Sequence, residues 1–495
     1  MSLKSQVANG LKWQAINLLG KQFLSLFIFT TLARLLDPAA FGLVGLVSVY
    51  LVFVGMFVDQ GIGTALVQRA ELEQEHLDVA FWCNLGSAVL VSLATIALAD
   101  PISNLMGEPR LAPLLRYSSI VLVINALSTV QASLLTKSMD FRRVTLRTLL
   151  GNAIGGIVGV VLALAGCGVW ALIGQQLIGA VAGSIFLWRV SSYRPKFKFS
   201  VRHFRELSKV GSSVFASSFF WFFSSRLDQI IIGRYAGVPV LGLYLIGGKL
   251  PEIAKLITQQ PVMAVSLPAF SKLQQDLERM RQAMYRAMEL NALVSFAVFV
   301  GIATVATDLI PLLFGIKWVA AGALCALLSI YALVDAIQVF FYPTLLASGG
   351  TGKFVSLNIL HAIGVLIACI VGIQFGIIHL VQGLILNTVV LAVPAIFFLK
   401  KRIGLDPASY FRPCAVPALA SLLMAAAIAV LAHFWPGTDP SVSRLTCKIL
   451  LGALTYLGVI FVFSRSSFIR LFEIVSLITR RPTTVAALPP EPPGF

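Results

Sequence analysis

The chain has 495 residues, 58% of them hydrophobic and 12% charged, and its mean hydropathy is +0.89. A soluble globular chain carries about 25% charged residues, so the composition excludes a soluble domain and marks a membrane protein. The formal net charge of +17 is then read through membrane topology, and it implies no nucleic-acid role.

A helical crossing of the hydrocarbon core needs about 20 mostly apolar residues. Tracts of that length predict fourteen spans, and the fold class is all-α integral membrane. The first, near 13–34, follows two lysines but is too long for a signal-peptide core, so retention is expected. It carries Gln14, Asn17, Lys21 and Ser25 at helical spacing, a single polar stripe with Lys21 near its centre. Spans follow near 41–67, which contains Asp59, and near 79–99, 111–135, 146–166 and 169–189. Gly151, Gly155 and Gly159 form a small-xxx-small series in the fifth, the pattern of close helix packing.

The basic segment SSYRPKFKFSVRHFREL (191–207) separates this half from the next and reads as a loop that also touches anionic headgroups. The seventh span, near 210–234, holds Arg226 and Asp228. Residues two apart on a helix point about 200° away from each other, so each needs its own partner. Asp228 continues a stripe with Ser217, Trp221 and Ser224. Arg226 lies on the side of Phe219, Phe222 and Phe223, compatible with either a cavity or snorkelling.

The eighth span, near 241–268, carries the stripe Lys249, Glu252, Lys255 and Gln259, with Pro251 inside it. The loop SKLQQDLERMRQAMYRAME (271–289) spaces Leu273, Leu277, Met280, Met284 and Met288 as an amphipathic helix on the inner membrane surface. The remaining spans lie near 289–313, 318–347, 354–376, 378–399, 412–433 and 446–464. Asp308 stands near a span end, and Asp335 within a span. The Pro-rich end PTTVAALPPEPPGF (482–495) is expected to be disordered. The six cysteines are scattered without metal-ligand spacing and read as apolar packing residues, so neither metal nor cofactor is expected.

Lys and Arg are enriched in cytoplasmic loops. With the N-terminus inside, one set of loops holds 27 of the 38 basic residues and the opposite set 7, which puts both termini in the cytoplasm. At an offset of 200 residues, ARLLDPAAFGL (33–43) aligns with GRYAGVPVLGL (233–243), pairing Arg34 with Arg234 and Gly42 with Gly242. An even number of spans separates them, so the repeat is parallel. In transporters with such repeats the substrate site lies between the lobes. The expected organisation is an N-terminal six-helix lobe (1–190), a cytoplasmic linker (191–209), a second six-helix lobe (210–400), two additional spans (401–465) and a tail (466–495).

A charge near the bilayer centre costs roughly 2.5–3.5 kcal/mol on insertion scales and normally faces a bundle interior or a wet cavity. Lys21, Lys249, Lys255 and Arg226 are therefore the candidate substrate-binding residues. Asp59, Asp228, Glu252 and Asp335 are candidates for ion coupling or for structural charge pairing.

The stretches 31–69, 226–250 and 267–290 resemble the polysaccharide-export, Wzx-type flippases of the multidrug/oligosaccharidyl-lipid/polysaccharide exporter superfamily. The resemblance covers nearly the whole chain and weakens in the last two spans. It implies two lobes around a central cavity and movement of undecaprenyl-diphosphate-linked oligosaccharide across the bacterial inner membrane by alternating access. The implied partners are that substrate, membrane lipids, and candidate polymerase and export machinery. The expected function is therefore transport without catalysis. A drug or metabolite antiporter of the same superfamily is one rival, disfavoured because a lysine-bearing cavity repels cationic substrates. A glycan polymerase or ligase is another, disfavoured because the longest outer loops, near 100–110 and 434–445, lack clustered acidic, His or Arg residues.

Overall fold

A computed structural model describes residues 3–69, 71–198, 200–435 and 441–463. The expected tail and the side chains of Gln14, Asn17 and Ser217 fall outside the described residues. Within them the secondary structure is helical throughout. In chain order the helices are α1 (Leu3–Leu35), α2 (Pro38–Asp59), α3 (Ile62–Gln68), α4 (Gln74–Met106), α5 (Leu111–Ser118), α6 (Ile120–Lys137), α7 (Phe141–Leu164), α8 (Trp170–Val190) and α9 (Val201–Ile231). Then come α10 (Val238–Lys272), α11 (Leu277–Phe314), α12 (Val319–Gln338), α13 (Phe341–Ala347), α14 (Thr351–Phe375), α15 (Ile377–Ile403), α16 (Pro407–Phe411), α17 (Ala415–Phe434) and α18 (Val442–Phe463).

Eleven segments are long and apolar enough to cross a membrane. Three further helices, α1, α9 and α10, have 33, 31 and 35 residues and carry the charged stripes. Breaks between helices follow local chemistry. At the α1–α2 turn the Asp37 carboxylate accepts the Ala40 N–H at 2.9 Å, and Pro38 opens α2, an N-cap followed by a proline whose missing N–H costs nothing there.

The chain forms two compact units. One comprises residues 1–253, 306–331 and 355–391, the other 254–305, 332–354 and 392–495. The first is organised around Leu43, Leu46, Val47, Leu111, Leu115, Val238 and Leu241. Its tightest approach joins the two echoed segments reciprocally. A Cβ on Gly42 would lie 1.8 Å from the Val238 carbonyl oxygen, and one on Gly242 would lie 2.0 Å from that of Pro38. Positions 38 and 238, like 42 and 242, share the 200-residue offset. The echoed arginines also sit at helix C-termini. Arg34 donates from Nη2 to the Leu312 carbonyl at 2.6 Å and from Nε to that of Leu313 at 2.8 Å, at the end of α11. A Cβ on Gly107, the left-handed cap of α4 (φ 70°), would lie 3.3 Å from Arg234 Nη1. The last carbonyls of a helix lack internal partners, and the Arg34 guanidinium satisfies two of those of α11.

In the second unit α17 and α18 pack with α11 through Leu293, Met424, Ile428, Tyr456 and Ile460, and the Tyr456 hydroxyl donates to the Leu293 carbonyl at 2.7 Å. Met280, Met284 and Met288 are fully buried here. The stretch expected to lie on the membrane surface instead begins α11 and turns its methionines into protein. Its amphipathic period is the same for either apolar neighbour.

The 191–200 linker is likewise anchored. Asp78 Oδ1 accepts from the Tyr193 hydroxyl, the Lys196 N–H and Gln74 Nε2, each at 3.0 Å. Trp82 Nε1 donates to the Lys196 carbonyl at 2.9 Å, and its ring stacks on Phe197.

The glycine crossing yields a prediction. Gly42→Ala and Gly242→Ala force backbone apart and should each cost about 1–3 kcal/mol, read as a lower Tm in detergent. Gly86→Ala and Gly458→Ala, whose Cβ atoms meet nothing within 4 Å, should leave Tm unchanged or slightly raised. Equal effects at all four positions would contradict the crossing.

Candidate functional site

The glycine series of α7 positions a polar cavity. A Cβ on Gly155 would lie 2.5 Å from the Gln175 carbonyl oxygen, and one on Gly151 would lie 2.9 Å from that of Gly179. The α7 and α8 backbones thus meet with nothing between them. Beside this contact lies a cavity of about 370 Å³ lined by Lys21 of α1, Arg147, Thr148 and Asn152 of α7, and Gln175 and Gln176 of α8. Neither Lys21 nor Arg147 has a carboxylate partner among the described residues.

Arg147 lines this cavity although loop counting reads it as a topology charge, because it falls at the very start of the 146–166 tract. The signal was present nonetheless. Arg147, Gly151, Gly155 and Gly159 share a four-residue step, so the face that packs closely against α8 begins with this guanidinium. Two cations, an asparagine and two glutamines present donors to an anion and both donors and acceptors to hydroxyl-rich groups.

The α10 stripe is divided between the two units. Lys249, in the first, lies 3.1 Å from Glu252 Oε2 and 5.3 Å from the centre of the Phe29 ring on α1. Phe29 in turn packs edge-to-face on Phe41 and Phe314. Lys255, in the second, meets Asp335 Oδ2 at 2.6 Å, and Gln259 one turn on donates to the Ala332 carbonyl at 3.3 Å. Each lysine of the stripe thus has its own carboxylate, and Glu252 is bonded to Lys249.

Asp228 accepts from the Tyr244 hydroxyl at 2.5 Å. Arg226 keeps its Nε buried and without a hydrogen-bond partner among the described residues. Asp228 thus faces α10. Asp59 is exposed, and its Oδ1 lies 3.4 Å from the Gly63 N–H at the start of α3, a helix-end contact.

Comparison with known proteins agrees with this architecture. The family described as polysaccharide biosynthesis protein matches residues 31–323, more than half the chain. The succinoglycan biosynthesis transport protein ExoT of Rhizobium meliloti is 26% identical over 97% of both chains. The lipopolysaccharide biosynthesis protein WzxC of Escherichia coli is 24% identical over 81% of this chain and 82% of its own. Among solved structures, the lipid II flippase MurJ in an inward closed conformation superposes with a TM-score of 0.73 at 17% identity, covering 91% of this chain and 98% of its own. That last likeness is one of fold.

The Lys255–Asp335 contact is testable by a double-mutant cycle. The side chains are 34% and 42% exposed, so a coupling of about 1 kcal/mol or less is expected. Asp335→Asn should lower Tm, and adding Lys255→Gln should restore part of the loss. Strict additivity of the two substitutions would show that the pair contributes nothing.

Proposed function

We propose that this chain, which belongs to the polysaccharide biosynthesis protein family, is a flippase that moves undecaprenyl-diphosphate-linked oligosaccharide across the bacterial inner membrane. The reading rests on one observation above the others: Lys21 and Arg147 share a polar cavity with no compensating carboxylate among the described residues. Unpaired cations inside an apolar bundle are costly, and a diphosphate is the ligand that offsets them. The amides of Asn152, Gln175 and Gln176 suit sugar hydroxyls beside it. The transport roles in the names of its relatives support the same substrate class.

In this account fourteen helices cross the membrane, the eleven apolar segments together with α1, α9 and α10. The first twelve form two parallel six-helix repeats, and α17 and α18 are the added pair. Both termini and the linker face the cytoplasm, as the basic excess requires. Lys249 and Lys255 are held by Glu252 and Asp335 until the anion arrives, and this partial neutralisation permits release. The reciprocal Gly42 and Gly242 crossing, at the end opposite the linker, closes the outer side. It parts when the cavity opens outward, while Arg34 leaves the helix end it caps. A cation-exporting antiporter is disfavoured by the sign of the cavity charge. The protein acts on its cargo without chemistry, so no catalytic residue is assigned.

Loss of one charged contact is worth about 1.5–3 kcal/mol, so Lys21→Gln and Arg147→Gln should each weaken binding of undecaprenyl-diphosphate oligosaccharide roughly 10- to 100-fold. Both variants should reach normal levels in the membrane, and Lys21→Arg should retain part of the binding. Cells carrying either Gln variant as the sole copy should accumulate lipid-linked oligosaccharide on the cytoplasmic leaflet. Normal export by both variants would overturn the assignment.

A further inference from the structure

At the linker end of the first unit, α4 and α9 bring together a set of side chains that the transport mechanism does not use. Glu73 immediately precedes α4, His76 lies in its first turn, and His203 lies in the first turn of α9. The two imidazoles are 1% and 8% exposed, and their ring centres are 4.2 Å apart at 81°. One ligand atom from each of Glu73, His76 and His203 falls within 4.8 Å of the others.

The outer partners of the rings decide what the inner atoms can do. His203 Nδ1 is 2.7 Å from Ser200 Oγ, and its Nε2 is 3.3 Å from Glu73 Oε2. When the ring proton is on Nδ1 and donated to serine, the Nε2 lone pair and the Glu73 carboxylate face each other and can share one cation. His76 Nε2 is 3.4 Å from Glu206 Oε2, while its Nδ1 faces the Glu73 N–H at a long 3.3 Å. Glu206 also meets Arg69 at 2.6 Å and Arg202 at 3.1 Å. Each ring therefore has an oxygen on one nitrogen; the other faces the Glu73 carboxylate in His203 and accepts the Glu73 backbone N–H in His76. This is how metal-bound histidines are supported, with the second nitrogen donating to a carboxylate or other oxygen that fixes ring orientation and tautomer.

We propose that Glu73, His76 and His203 form a binding site for one divalent transition-metal ion of the zinc class, which fastens the start of α9 to the start of α4. Imidazole and carboxylate ligands suit zinc. Tetrahedral bonds of about 2.1 Å put ligand atoms about 3.4 Å apart, which the His203 and Glu73 pair already meets at 3.3 Å. His76 supplies the third ligand, its atom within 4.8 Å of the other two. Arg69, Arg202 and Lys198 are engaged with Glu206 and Glu75, which offset most of the surrounding positive charge. The ion would join the last residues of the linker to the first half of the chain, at the point where the two repeats are connected.

The test uses the full-length protein in detergent, dialysed against EDTA and titrated with Zn²⁺ against a chromophoric chelator. Wild type should bind one tight equivalent and gain several degrees in Tm. Glu73→Gln and His203→Gln should each weaken that site at least ~100-fold, whereas Glu206→Gln, which only orients His76, should weaken it about 10-fold. Co²⁺ in place of Zn²⁺ should give the visible bands of a tetrahedral nitrogen and oxygen site in wild type alone. If His76→Asn fails to fold, His203→Gln and Glu73→Gln still decide the matter. Absence of tight zinc in wild type, or affinity unchanged in both of those variants, overturns the site, and a shift of His203 protonation without metal uptake would then account for the geometry.

Discussion

Everything in this structure follows from the need to keep charge away from lipid. Lipid offers neither hydrogen bonds nor counter-ions, so a helix that carries a charged stripe through the membrane must turn it toward protein or water. The helices α1, α9 and α10 carry such stripes and differ in this from the eleven plainly apolar segments. Their charges are settled in three ways. Lys249 and Lys255 are paired with carboxylates, Asp228 is bonded to a tyrosine, and Lys21 is placed with Arg147 in a polar cavity. The last gathers two cations with no carboxylate partner among the described residues, and so it is where an anionic cargo gains most.

Close backbone packing makes that arrangement possible. Between α7 and α8 the glycines remove the side-chain layer, so polar groups flank a tight seam. Between α2 and α10 the reciprocal glycine contact is an isologous joint in miniature, with each partner meeting the equivalent carbonyl of the other. A joint of this kind has no room for gradual loosening. It is closed or it is parted, the behaviour required of a barrier in a two-state transporter.

Much of this was legible in the sequence, because lipid imposes a strong and regular pattern. The expected span at 79–99 falls inside α4, and those at 146–166 and 169–189 overrun α7 and α8 by two residues at most. What escaped was of two kinds. Arg147 and Asp78 lie at the ends of apolar tracts, where a charge reads as topology, and only the structure shows one lining a cavity and the other buried under the linker. The pairing of Lys255 with Asp335 and the meeting of His76 with His203 join residues far apart in the chain, which no local period encodes. The methionine face of α11 failed for a third reason, since an apolar stripe does not say whether protein or lipid covers it.

The central claim is that this chain alone carries a diphosphate-linked glycan across a bilayer, and reconstitution tests it directly. Purified protein is placed in vesicles whose outer leaflet holds undecaprenyl-diphosphate oligosaccharide with a fluorescent sugar, and the fraction protected from an external quencher is followed over time. The account predicts protection that grows faster than in protein-free vesicles and falls to that background with Arg147→Gln. Protection no faster than in protein-free vesicles, from protein that still binds the lipid, would contradict it.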